Sequence, residues 1–105
     1  MRNLAPERVK QLLAVENAPL LLDVREEWEY EICHIDSSSN IPMGDVPGVL
    51  KDLDPDAATI VICHHGARSM QVADYLESAG FSNVINLDGG INAWAMVIDP
   101  NMRQY

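Results

Sequence analysis

Basic residues are scarce in this 105-residue chain: seven lysines and arginines stand against sixteen aspartates and glutamates, for a formal charge of -9 near neutrality. Such a surface repels phosphate backbones and anionic membranes, so neither nucleic acid nor a membrane is an expected partner. The imbalance reads as solubility, since no like-charge run is long enough to form an interaction tail. Long apolar runs are missing too. No stretch approaches bilayer-spanning length, and "MRNLAPERVK" lacks the apolar core of a secretory signal, which leads to the expectation of a soluble, cytoplasmic protein. Cysteine is limited to Cys33 and Cys63, expected as free thiols in a reducing compartment and so available for chemistry. Low-complexity stretches, linkers and internal repeats are absent, which predicts one domain over residues 1–105. That length leaves no room for a separate cofactor domain. No cofactor is expected, and any chemistry must come from side chains, backbone amides or a small bound species.

With 48% hydrophobic residues the chain can still build a sizeable core. "PERVKQLLA" carries Val9, Leu12 and Leu13 at helical spacing behind Pro6, which a first helical turn tolerates. "PLLLDV" reads as a short buried strand, "EEWEYEI" as a brief polar helix, and "SNIP" as an extended segment stopped by Pro42. "MGDVPGVLKDL" is ambiguous, broken by Pro47 and Gly48. "TIVIC" is an apolar, β-branched strand. "ARSMQVADYLESAG" places Val72, Ala73, Leu76 and Ala79 on one helical face and ends at Gly80. "NVINL" predicts another strand, "DGGINAWAMV" a helix with Asp88 as its N-cap, and "DPNMRQY" an irregular tail. Trp28, Trp94 and Met70 follow the apolar patterns and are expected in the core or between helices. Strand, helix, strand with short joints is a crossover that implies parallel strands with helices on both faces.

In such sheets ligands sit beyond the carboxyl ends of strands, which is where Cys63 falls, with Asp23 and Arg25 expected at the same edge. The latter two are read as holding loops together. Between Cys63 and Arg68 the segment "HHGA" must curl tightly. Inward amides, the positive end of the following helix and Arg68 would then gather negative charge, whether a thiolate, a persulfide or an oxyanion, and favour the nucleophilic thiolate. Gly66 suits a positive φ, Ser69 could cap the helix, and His64 and His65 add donors that titrate near neutrality.

Taken in order, "LLDVREEWEYEICHI", "NIP", "IVICHHGARS" and "GFSNVINLDGGINAW" resemble the rhodanese superfamily over nearly the whole chain. The resemblance implies an α/β, three-layer domain with a central parallel five-stranded sheet and helices on both faces. It also implies that Cys63 is the sulfur-accepting nucleophile and that His64, His65, Gly66, Ala67, Arg68 and Ser69 form the binding loop around its persulfide. The loop from Cys63 to Arg68 has the length of sulfur-handling members, whereas related phosphatases and arsenate reductases use one residue more. Three departures stand out. The family often reads glycine at Cys33 and proline-glycine-alanine where "DSSS" follows. Two-domain thiosulfate enzymes carry a donor-binding arginine at what looks like the place of Glu29, which implies that thiosulfate works here but poorly. The end, "WAMVIDPNMRQY", looks like the C-terminus of rhodanese domains fused to sulfur-carrier-activating enzymes.

The expected function is that of a sulfurtransferase resembling the thiosulfate:cyanide enzymes. It would move a sulfane sulfur from a donor such as thiosulfate or a persulfide to a thiol or protein acceptor through Cys63. Two other classes are weighed against it. One is a redox-sensing or protein-binding module on the same fold; the other is phosphate or arsenate chemistry, which the short loop disfavours. A metal site built from Cys33, His34, Cys63, His64 and His65 matches no closed zinc spacing, and no metal is expected.

Overall fold

In a computed structural model that describes residues 1–105, five strands form one fully parallel sheet. In chain order they are β1 (Arg2–Leu4), β2 (Leu20–Asp23), β3 (Ser39–Asn40), β4 (Thr59–Ile62) and β5 (Val84–Leu87), lying side by side as β1-β5-β4-β2-β3. The helices are α1 (Pro6–Leu13), α2 (Glu27–Ile32), α3 (Val46–Val49), α4 (Ala67–Ser78) and α5 (Gly90–Val97). None is long and apolar enough to cross a membrane.

The central strands β4 and β5 are buried at every position because helices cover both sheet faces, so apart from Thr59 and Asn86 their sequences are apolar instead of alternating. Successive side chains still divide between the two faces. Leu21, Ile60, Ile62, Ile85 and Leu87 pack with Val9 of α1 and with Ile91 and Trp94 of α5. Leu22, Val61 and Val84 pack on the other side with Val46 of α3 and with Val72, Ala73 and Leu76 of α4. Cys33 belongs to the first core and Cys63 to the second, and both thiols are free.

Several local expectations are corrected. β1 was not expected: three residues, two of them exposed, carry no apolar pattern, and pairing with Ile85–Leu87 alone makes them an edge strand. Pro47 falls in the first turn of α3, where its missing N–H is harmless, so the ambiguous segment is helical, flanked by single 3-10 turns. Ala79 is exposed because α4 ends there. Phe81 N–H donates to Leu76 O and Gly80 N–H to Glu77 O, a Schellman closure that turns Phe81 into the core. Trp28 is 59% exposed and Met70 43%; of the three expected core residues only Trp94 is buried.

A buried guanidinium joins the pieces around β2. Arg25 is fully buried and pairs bidentately with Asp23, its Nε 2.9 Å from Oδ1 and its Nη2 2.7 Å from Oδ2. Nη2 also donates to Cys33 O, and Nη1 to Glu29 O and to the Tyr105 hydroxyl. Burial works against the charge, but the hydrogen bonds to Asp23 and Tyr105 outweigh it and raise the arginine pKa. Removing one partner of such a pair leaves an uncompensated buried charge. Asp23→Asn should therefore lower the unfolding free energy by about 3–5 kcal/mol, read from urea denaturation. A loss below about 1 kcal/mol would mean that water reaches Arg25.

Candidate active site at the end of the central strand

β4 delivers Cys63 to the carboxyl edge of the sheet, where the chain turns before α4. Two glycines make the turn possible. Gly66 has φ +110° and takes the N-cap position of α4, and its N–H donates to Cys63 Sγ at 3.0 Å. Gly90 has φ +62° and passes so close to the loop that a Cβ there would lie 2.4 Å from Cys63 O and 2.5 Å from His64 O. That approach lets Ile91 N–H donate to Cys63 O (2.8 Å) and Asn92 N–H to His64 O (3.0 Å). Two of the free amides in the first turn of α5 are thus satisfied by the loop, and its N-cap is Gly89, with no side-chain cap from the expected Asp88.

Ser69 does not cap α4 either. It lies in the first turn, fully buried, with Oγ 3.3 Å from Cys63 Sγ, and its single hydroxyl proton lies between two acceptors, Gly66 O and Asn86 Oδ1. Asn86, buried on β5, donates in turn to Asn3 Oδ1 of β1. Sequence reasoning passed over Asn86; a polar residue inside the apolar run "NVINL" was the available signal.

Of the expected loop residues, Cys63, Gly66 and Ser69 meet at the sulfur. His65 and Ala67 face solvent. His64 is sandwiched between His65 and Tyr105, with ring centroids 4.0 Å away on each side. Burial, and then the neighbouring His65, pull its pKa below the usual histidine value.

Arg68 sends its guanidinium across the mouth to Glu29. Nη1 lies 2.7 Å from Oε1 and Nη2 2.8 Å from Oε2, and its hydrogen bonds go to Glu29 alone. Glu29 wins this contact because it is only 4% exposed and offers a planar pair of acceptors matched to the guanidinium fork. It also accepts from Glu26 N–H in a reciprocal capping box at the start of α2 and from the Tyr105 hydroxyl at 2.8 Å. Asp23 and Arg25 form the buried pair beneath this edge. Cys33 and His34 do not converge with the loop histidines: His34 stacks on Tyr30, and no cluster of three or more such ligands exists. Tyr105, which the sequence places only in an irregular tail, lies against the loop through His64 and Glu29.

The chain belongs to the rhodanese-like domain family, whose model matches residues 5–96. It is 36% identical over 96 residues to a thiosulfate sulfurtransferase, GlpE, of Pseudomonas aeruginosa, covering 91% of this chain and 86% of that protein. A rhodanese-like/PpiC domain-containing chloroplastic protein of Arabidopsis thaliana is 39% identical over 89 residues, 81% of this chain; the match spans only 30% of that longer protein. The crystal structure of a rhodanese-like domain protein from Staphylococcus aureus superposes with a TM-score of 0.84 at 29% identity, covering 90% of this chain and 91% of that one.

The Glu29 contacts have a pH consequence. The Arg68 hydrogen bonds, opposed by burial and helped by Glu26 N–H and Tyr105, lower its carboxyl pKa from 4.5 to about 2. A carboxylate lowered on folding contributes stability that is fully present above the unfolded value and is lost as pH falls through the folded one. Unfolding free energy should therefore drop between pH 4.5 and about 2, and Glu29→Gln should flatten that part of the profile. Identical acid limbs in parent and variant, followed by urea denaturation, would contradict the assignment.

Proposed function

We propose that the chain is a sulfurtransferase that carries a sulfane sulfur on Cys63. The observation that supports this most is the cysteine at the end of β4 in a rhodanese domain, its Sγ 3.0 Å from the Gly66 amide and 3.3 Å from the Ser69 hydroxyl. Similarity to GlpE, a thiosulfate sulfurtransferase, supports the same chemistry at family level.

In the first half-reaction the Cys63 thiolate attacks the outer sulfur of a donor. With thiosulfate, a new S–S bond forms at Cys63, the donor's S–S bond breaks, and its electron pair leaves on sulfite. The persulfide's terminal sulfur then carries the negative charge that the loop amide and the positive end of α4 are placed to stabilise. In the second half-reaction a thiophile attacks that sulfur and the Cys63 thiolate departs. Cyanide yields thiocyanate, and a thiolate acceptor yields its own persulfide. No net oxidation occurs, so no redox cofactor enters the balance.

Cys33 has no part in this proposal. Its sulfur packs in the core on the opposite side of the sheet, within 3.9 Å of Arg25 Nη1. Cys63→Ser should abolish turnover with thiosulfate and cyanide while leaving the melting temperature within a few degrees, because it removes the nucleophile and little volume. Retained turnover would overturn the proposal.

The donor follows from charge. Glu29 neutralises Arg68 at the mouth, and the surrounding protein is strongly acidic, so a dianion meets no free cation there. Thiosulfate is accordingly a poor donor, and a persulfide presented by a thiol or protein suits the site better. Glu29→Gln keeps the capping box, which accepts either residue, and frees Arg68. It should lower the KM for thiosulfate by up to about fivefold, the effect of one partly exposed charge pair, and change the KM for a protein-bound persulfide by much less. Equal changes for both donors, or none for either, would contradict this role.

A further inference from the structure

Cys63 is 1% exposed, and neither surface cavity opens onto its loop. The cavity of about 260 Å³ lies against α3 and α4 around Met43, Val46 and Tyr75. The other, of about 350 Å³, lies around Ile35, Trp94 and Met102. A sulfur donor must come within bonding distance of Sγ, so some part of the rim has to yield.

The rim parts are not equally free to move. Gly66 and Ser69 are buried, and Glu29 is nearly so. Tyr105 is different. Its ring lies flat on His64, with planes 13° apart, and its hydroxyl donates to Glu29 and accepts from Arg25 Nη1 at 3.0 Å. It thus bridges the first loop residue after Cys63 and the start of α2, and Trp28 meets it edge-on at 5.8 Å. Residues 103–105 make no backbone hydrogen bonds, however, and Tyr105 is 37% exposed. It is held by its side chain alone, and swinging it away costs no secondary structure.

We propose that Tyr105 is a specificity-determining residue: its ring closes the mouth over Cys63 and screens sulfur donors and acceptors by girth, admitting slender ones and holding back bulky ones until it moves. The idea rests on Cys63 being the reactive thiol of the proposed sulfur transfer. Its test therefore reads access to that thiol instead of turnover.

The experiment compares alkylation rate constants of Cys63 in the intact protein for iodoacetamide and N-phenylmaleimide, with the label located by peptide mapping to separate it from Cys33. Both reagents are uncharged, so the Glu29–Arg68 pair does not bias the comparison. Tyr105→Ala should raise the N-phenylmaleimide rate about tenfold and the iodoacetamide rate less than about threefold, as expected when two hydrogen bonds and a ring stack no longer hold a gate shut. Tyr105→Trp keeps a ring against His64 but loses the hydroxyl that accepts from Arg25, so its discrimination should fall between that of the parent and that of Tyr105→Ala. An unchanged ratio in Tyr105→Ala, or an equal gain with both reagents, would overturn the proposal, the latter because it signals altered thiol reactivity instead of access. Discrimination in Tyr105→Trp no greater than in Tyr105→Ala would overturn it as well. Should Cys63 prove unable to carry sulfur while Tyr105→Ala still opens the site, the proposed function fails and the gate stands.

Discussion

A fully buried guanidinium has five N–H donors and no water to meet them, so the chain around Arg25 is arranged to supply acceptors. Asp23 gives the carboxylate, Cys33 and Glu29 give carbonyls, and Tyr105 gives a hydroxyl. These acceptors come from the end of β2, from α2 and the residue that closes it, and from the tail. Satisfying one cation therefore fixes where α2 begins relative to the sheet edge. That position hands Glu29 to Arg68, and the Glu29–Arg68 pair sets the electrostatics of the mouth.

The loop itself is shaped from the other side. α5 starts by donating two amides of its first turn to the carbonyls of Cys63 and His64, which only a glycine at position 90 permits at that distance. With those carbonyls occupied, the Gly66 amide is aimed at the sulfur. Ser69, held by Asn86 of β5, completes the surroundings. The helix that packs on the far core is thus also a template for the Cys63 loop. The result is a small cradle with a locally neutral mouth on an acidic protein, and the proposed function puts one sulfur atom there and not a tetrahedral dianion.

The fold was legible where burial dictates composition. β4 and β5 are mostly apolar because both faces are covered, and the turn at Cys63 shows as a glycine between an apolar run and a helical pattern. β1 was not legible, because an edge strand of three residues buries too little to leave a pattern. Asp88 is a good capping residue by type, yet α5 is capped by carbonyls distant in sequence, which no local rule can register. The same limit applies at the site. Glu29 and Arg68 are thirty-nine positions apart, and Tyr105 reaches Arg25 across eighty, so their pairing depends on the assembled sheet. Arg68 read alone was a free cation for an anion cradle; folded, it already has its anion. Trp28 was misplaced because α2 is so short that an exposed face resembles a buried one in sequence.

The central claim is that Cys63 holds a transferable sulfur, and mass spectrometry of the intact protein after treatment with a persulfide donor tests it most directly. One added sulfur should appear, map to the peptide containing Cys63 and not to that containing Cys33, and disappear on addition of cyanide. A protein that gains no sulfur, or gains it on Cys33, would contradict the account.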